Sequence, residues 1–141
     1  MARGFLSLIL HAHLPYVKHP EHEYSLEEKW FYEAITECYI PLLQVLENLH
    51  RDKVEYRLTI SLSPTLLAMM ENRLLQERFC LYLQRLQHLA RLEEERTAND
   101  PDFAPLAGMY REQFDSVADY FHRRCRRRLV VAFRRLMEEG C

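Results

Sequence analysis

The hydrophobic positions along the chain follow two periods, and each predicts its own kind of element. Residues 5–16 read FLSLILHAHLPY, an almost unbroken apolar run that ends in two histidines and a Pro-Tyr stop. Such a run predicts a strand buried on both faces, as in a parallel sheet. Side chains alternate faces along a strand, so His11 and His13 point the same way. The carboxyl end of a parallel strand is also where α/β folds place their active sites.

Beyond a polar loop the period becomes helical. Ser25 and Glu28 are spaced as a capping box, so a helix is predicted from Leu26. Trp30, Ile35, Tyr39, Leu42, Leu43, Leu46 and Leu49 carry that helix to about His50, and Pro41 divides it into two pieces. After a polar turn, VEYRLTISL at residues 54–62 alternates and then becomes β-branched, which predicts a second strand. Ser63 and Pro64 supply an N-cap and a first-turn proline for the next helix. That pattern runs to about Thr97, longer than one ordinary helix, and a break is expected near Asn72. NDPDFAP at residues 99–105 is the clearest loop. A last helical stretch over residues 106–139 is expected to break near Asp119 or Tyr120 and to end at Gly140.

The order strand, helix, strand, helices predicts an α/β class with parallel strands, rich in helix. Two strands leave both edges and one face of a parallel sheet uncovered. A third strand is therefore expected after Cys141, and the chain is expected to be an incomplete segment open to self-association through its unfinished sheet.

Composition narrows the picture. The 141 residues, 48% hydrophobic and 28% charged, suit one globular domain. Lysine and arginine number 19 against 21 acidic residues, a balance of −2 that exerts no global pull on nucleic acid or an anionic membrane. The amino-terminal apolar run is too short to span a bilayer and lacks a small-residue cleavage site, so the expected location is the cytoplasm. Cys38, Cys80, Cys125 and Cys141 are widely spaced, with no pair suited to zinc and no disulfide framework.

Four stretches in order carry a family resemblance. They are GFLSLILHAHLPYVKHPE, EEKWFYEAITECYIPLL, RLTISLSPTLLAMM and ERFCLYLQRLQHLARLE, and together they reach from residue 4 to residue 93. With them the chain resembles the amino-terminal part of glycoside hydrolase family 57, and within it the members that branch 1,4-α-glucans. The resemblance implies part of an incomplete (β/α)7 barrel, cleavage of an α-1,4 glucan with retention, and transfer to an α-1,6 position. That chemistry needs two carboxylates about 5 Å apart. The family's conserved regions that hold them are not among these residues, so no residue of this chain is assigned as catalytic. His11 and His13 are carried over as groups that hydrogen-bond sugar hydroxyls, and Trp30 as an aromatic lining of the glucan path. The implied partner is an α-glucan, with no cofactor and no metal.

Other readings of the same residues stand beside these. An imidazole offers a donor and an acceptor to a sugar hydroxyl, but two histidines two residues apart can also share a metal ion in a hydrolase barrel. A non-catalytic glucan-binding or interaction module is a further reading. Trp30 sits on the apolar stripe and could equally anchor a core. The run RRCRRR at residues 123–128 reads as the solvated face of a helix rather than a nucleic-acid contact. Glu27, Glu28, Glu93, Glu94 and Glu95 read as helix-start or exposed carboxylates that complement the dipole or pair with nearby arginines.

Overall fold

The computed structural model describes residue 4 and residues 6–22 and 25–139. The predicted capping box forms in part. Ser25 Oγ accepts from the amide of Glu28, and α1 runs Leu26–Ala34. The Glu28 carboxylate does not turn back to complete the box; its partners lie elsewhere in the chain.

As expected, two helical pieces meet at Pro41, and they join through a wide turn rather than a gap. The chain passes through a π turn at Ile35–Tyr39 into α2, Ile40–Arg51, with Pro41 in the first turn of α2. Proline has no N–H and its ring collides with the carbonyl four residues back in a regular helix. Widening one turn removes that collision, and the amide of Ile40 reaches back five residues to the carbonyl of Ile35.

The two strands are short. β1 is Ile9–Ala12 and β2 is Thr59–Leu62, paired in parallel with His11 opposite Ser61. Residues 54–58, expected in the second strand, lie before it. Neither strand is buried on both faces. Ile9 and His11 on β1, and Thr59 and Ser61 on β2, are exposed, while the alternate positions Ala12, Ile60 and Leu62 pack on the core. Helices cover one face of the pair, and the other face is open.

Ser63 Oγ caps α3, Pro64–Met70, through the amide of Leu66 at 3.3 Å. The expected break falls at Asn72, whose side chain caps α4, Arg73–Thr97, through the amide of Leu75. α4 packs against α5, Ala104–Asp119. A second π turn, Tyr120–Arg124, follows, and α6 is Leu129–Glu138. The helix changes character at Tyr120, as expected, but the chain leaves helical geometry only after Arg124. RRCRRR is therefore not one helix face. Arg126 and Arg127 adopt φ of 51° and 65°, and Arg128 stands at the N-cap of α6. Gly140 lies outside the described residues.

The core forms where α1, the first π turn, α2, α3, α4 and the last two elements meet. Phe31, Ile40, Leu43, Leu66, Met69, Leu75, Phe79, Leu83 and Phe121 are all at 1% exposure or less. The rings of Phe79 and Phe121 meet edge to face at 4.7 Å. Glu47 on α2 draws the last elements in, accepting from Tyr120 Oη at 2.9 Å, from Arg124 Nε at 3.2 Å, and from Arg135.

Phe79→Ala should cost about 3–5 kcal/mol, the usual effect of emptying a buried aromatic site. Leu81→Ala, two residues away and 65% exposed, should stay within about 0.5 kcal/mol. Urea unfolding followed by circular dichroism compares them, and equal effects would contradict this core.

Candidate functional site

The open face of the strand pair is where the candidate chemistry collects. His11 is the third residue of β1, and its Nδ1 lies 2.8 Å from Oγ of Ser61, its register partner on β2. A hydroxyl can donate or accept, so Ser61 holds one ring nitrogen whichever tautomer is present and leaves Nε2 directed away from that bond. His13 follows β1 by one residue and is exposed. His11 thus lies on the open face near the carboxyl end of β1, and the exposed His13 follows the strand directly.

Trp30 does not join them through any hydrogen bond or ring contact among the described residues. It stands on α1 at 50% exposure, while its neighbours Phe31 and Tyr32 are buried. The core-anchor reading of Trp30 fails: Phe31 and Ile35 take the inward positions of that turn.

The segment after His13 has no helix or strand of its own, yet it is tied down along its length. Thr65 Oγ1 donates to the carbonyl of Leu14 at 3.0 Å. Val17 is buried, and its amide points at Sδ of Met69. Further on, the amide of His19 donates to Glu28 Oε1 at 2.9 Å. Arg78 then donates from one guanidinium nitrogen to the carbonyl of His19 at 3.1 Å and to both Glu28 oxygens, and from the other to the carbonyl of His22 at 2.6 Å.

Glu28 is thus not an exposed dipole partner. It is 1% exposed and receives four hydrogen bonds, the fourth from Tyr32 Oη at 2.8 Å. Burial, reinforced by the bond to this carboxylate, raises the Tyr32 phenol well above its ordinary value. Sequence reasoning missed this cluster because its partner is Arg78, fifty residues away. Two signals were present: a glutamate at the third helical position, and an arginine beside the deepest aromatic of α4.

Glu93 and Glu94, read as exposed helix carboxylates, are ion-paired at the surface, Glu93 with Arg96 and Glu94 with Arg111. No group of three His, Cys, Asp or Glu side chains that could hold a metal ion occurs among the described residues. No helix among them is long and apolar enough to cross a membrane. Cys38 is exposed, Cys80 is buried, and burial pushes the Cys125 thiol up to about 11.

A two-stranded parallel opening with histidines at a strand end and helices on one face is the start of an α/β barrel, the class of fold that carries its site on the strand ends. The family model for glycosyl hydrolase family 57 matches residues 7–141, and the chain belongs to that family. It is 31% identical over 119 residues to a 1,4-alpha-glucan branching enzyme of Thermococcus kodakarensis, covering 84% of this chain and 17% of that protein. Over 69 residues it is 32% identical to a probable 1,4-alpha-glucan branching enzyme of Mycobacterium tuberculosis, covering 13% of that protein. Among solved structures, the alpha-amylase AmyC of Thermotoga maritima superposes with a TM-score of 0.91 at 40% identity over 99% of this chain. The family-57 branching enzyme of Pyrococcus horikoshii does so with 0.89 at 29%, also over 99%. Each of those two solved chains is covered to 26%, so this chain spans about a quarter of them and under a fifth of the curated relatives. The fold is the amino-terminal part of the family's (β/α)7 barrel.

Trp30 is the chain's single tryptophan. Its half-exposed position predicts red-shifted emission that acrylamide quenches readily. Blue, poorly quenched emission from the folded protein would return Trp30 to the core.

Proposed function

We propose that this chain is the amino-terminal segment of a family-57 barrel enzyme that acts on α-1,4-glucan, with branching by transfer to an α-1,6 position as its reaction. His11 and His13 bind sugar hydroxyls there. The observation that carries the reading is the histidine pair at the end of β1, in a chain whose fold matches family members over 99% of its length. An imidazole already held by Ser61 is oriented before a sugar arrives, which lowers the ordering cost of binding. Trp30, exposed on α1, is available to stack on a sugar ring. Retaining chemistry needs two carboxylates about 5 Å apart. The buried Glu28 is committed to Arg78, and Glu77, Glu93 and Glu94 on the surface of α4 stand in ion pairs. In this reading the reacting carboxylates come from other parts of the family barrel, and the segment grips substrate.

A second reading, hydrolysis without transfer, draws support from the 40% identity to the Thermotoga alpha-amylase. The choice turns on how well an acceptor chain rather than water is held at the site. The segment also suits self-association: Leu6 is 96% exposed and Ile9 54%, and an apolar cavity of about 280 Å³ runs beside β2, lined by residues that include Ile60, Phe133 and Met137. Sedimentation mass should therefore rise with concentration, and a monomer at all concentrations would contradict that.

Titration with maltoheptaose should move the imidazole NMR signals of His11 and His13. His11→Ala and His13→Ala should each weaken binding about tenfold, the ~1.4 kcal/mol of one well-placed hydrogen bond. The chain alone should create neither reducing ends nor α-1,6 linkages in amylose. New α-1,6 signals from the chain alone would sink the assignment of its carboxylates. Stoichiometric zinc at the histidine pair would favour a metal hydrolase instead.

A further inference from the structure

We propose that Glu28 and Arg78 are positioning residues for the glucan site: a buried clamp that fixes the segment leading from the histidine strand into α1. The inference rests on the glucan-binding reading of His11 and His13.

Residues 13–22 form a connection without regular structure at the carboxyl end of β1. Such connections are mobile by default, and in barrels they carry specificity. Here the backbone is held at both carbonyls of the His19–His22 turn and at the amide of His19, all by one ion pair. The turn itself is closed by the amide of His22 donating to the carbonyl of His19 at 3.2 Å. Together with the Thr65 bond to Leu14, the clamp fixes both ends of the stretch that presents Tyr16, 54% exposed, just past His13.

Stability is a poor reason for such a pair. Removing two charges from water costs more than their attraction often returns, and well-packed apolar substitutes are frequently neutral or stabilising. What apolar residues cannot supply is geometry. The guanidinium fork divides its donors among a carboxylate and two backbone carbonyls, and a lysine, with its single ammonium, lacks that fixed division. Glu28, with a side chain 2% exposed against 16% for Arg78, sits at the inner end of the fork. The arrangement is that of a group retained to aim a loop.

The test compares the wild-type chain with R78K, which keeps the charge, and with E28L/R78M, which replaces the pair by apolar groups. Three quantities are read: melting temperature, hydrogen exchange at the amides of His19 and His22, and maltoheptaose affinity. The double variant should stay folded, with its melting temperature lowered by no more than the bonds that Tyr32 Oη and the His19 and His22 backbone lose with the pair. In both variants the His19 and His22 amides should exchange about tenfold faster, while those of Thr59 and Ser63, bonded across the sheet to Leu8 and Ala12, stay unchanged. Glucan affinity should fall about tenfold with them. Unchanged exchange at His19 and His22 in the folded double variant overturns the clamp. So does a loosened segment that binds glucan as tightly as before, and so does a double variant that cannot fold, which makes the pair structural. If the wild type binds no maltoheptaose, the glucan reading is what fails, and the exchange data alone decide whether the pair holds the segment.

Discussion

The parallel pairing of β1 with β2 is the constraint from which the rest of the fold follows. His11 and its partner Ser61 are fifty residues apart, because two parallel strands cannot be joined by a tight turn and need a crossover. That crossover is α1, the π turn and α2, and it covers one face of the strand pair. The inward residues of the crossover, Phe31, Ile35, Ile40, Leu43 and Leu46, are buried in the core that it forms with the helices that follow. The uncovered face is left to Ile9, His11, Thr59 and Ser61. The position of the candidate site is thus a consequence of how the strands are connected, before any chemistry is considered.

Pairing the strands does not fix what comes between them. The segment after His13 turns away from the sheet with no ladder to hold it, and its backbone groups need partners. They find them in side chains from three helices: Thr65 and Met69 on α3, Glu28 on α1 and Arg78 on α4. A carboxylate with almost no exposure survives there because it accepts four hydrogen bonds, one of them from a phenol whose own ionisation burial suppresses. The polar cluster and the aromatic core are continuous at this point. Tyr32 donates to Glu28 with its hydroxyl and packs its ring 5.9 Å from that of Phe79.

Membership of glycosyl hydrolase family 57 gives the open face a meaning that two strands alone do not have. In a barrel, helices lie outside and the strand faces without helices look inward. His11 and Ile9 stand on such a face, and Ile9 is 54% exposed there. Their exposure is what an arc of a barrel has in place of a closed core. The same physical fact accounts for a candidate site that is preorganised at His11 yet open around it.

Features governed by neighbours in sequence were legible without coordinates. The caps at Ser25 and Ser63, the break at Asn72, the junction at Pro41 and the loop before α5 all depend on residues within a turn or two, and local periodicity reports them. The ordered blocks that mark the family were equally plain. Tertiary structure alone decided the burial of Glu28, the exposure of Trp30 and the shortness of β2. It also took the second half of the arginine run out of the helix, with Arg126 and Arg127 in left-handed conformations. Each of these depends on what arrives from far along the chain: Arg78 to meet Glu28, α4 to claim Phe31 and leave Trp30 outside, β1 to pair with only four residues of its partner. A one-dimensional pattern records which residues prefer burial, but a charge goes inside only when a partner from elsewhere compensates it, and that meeting exists only in the folded chain.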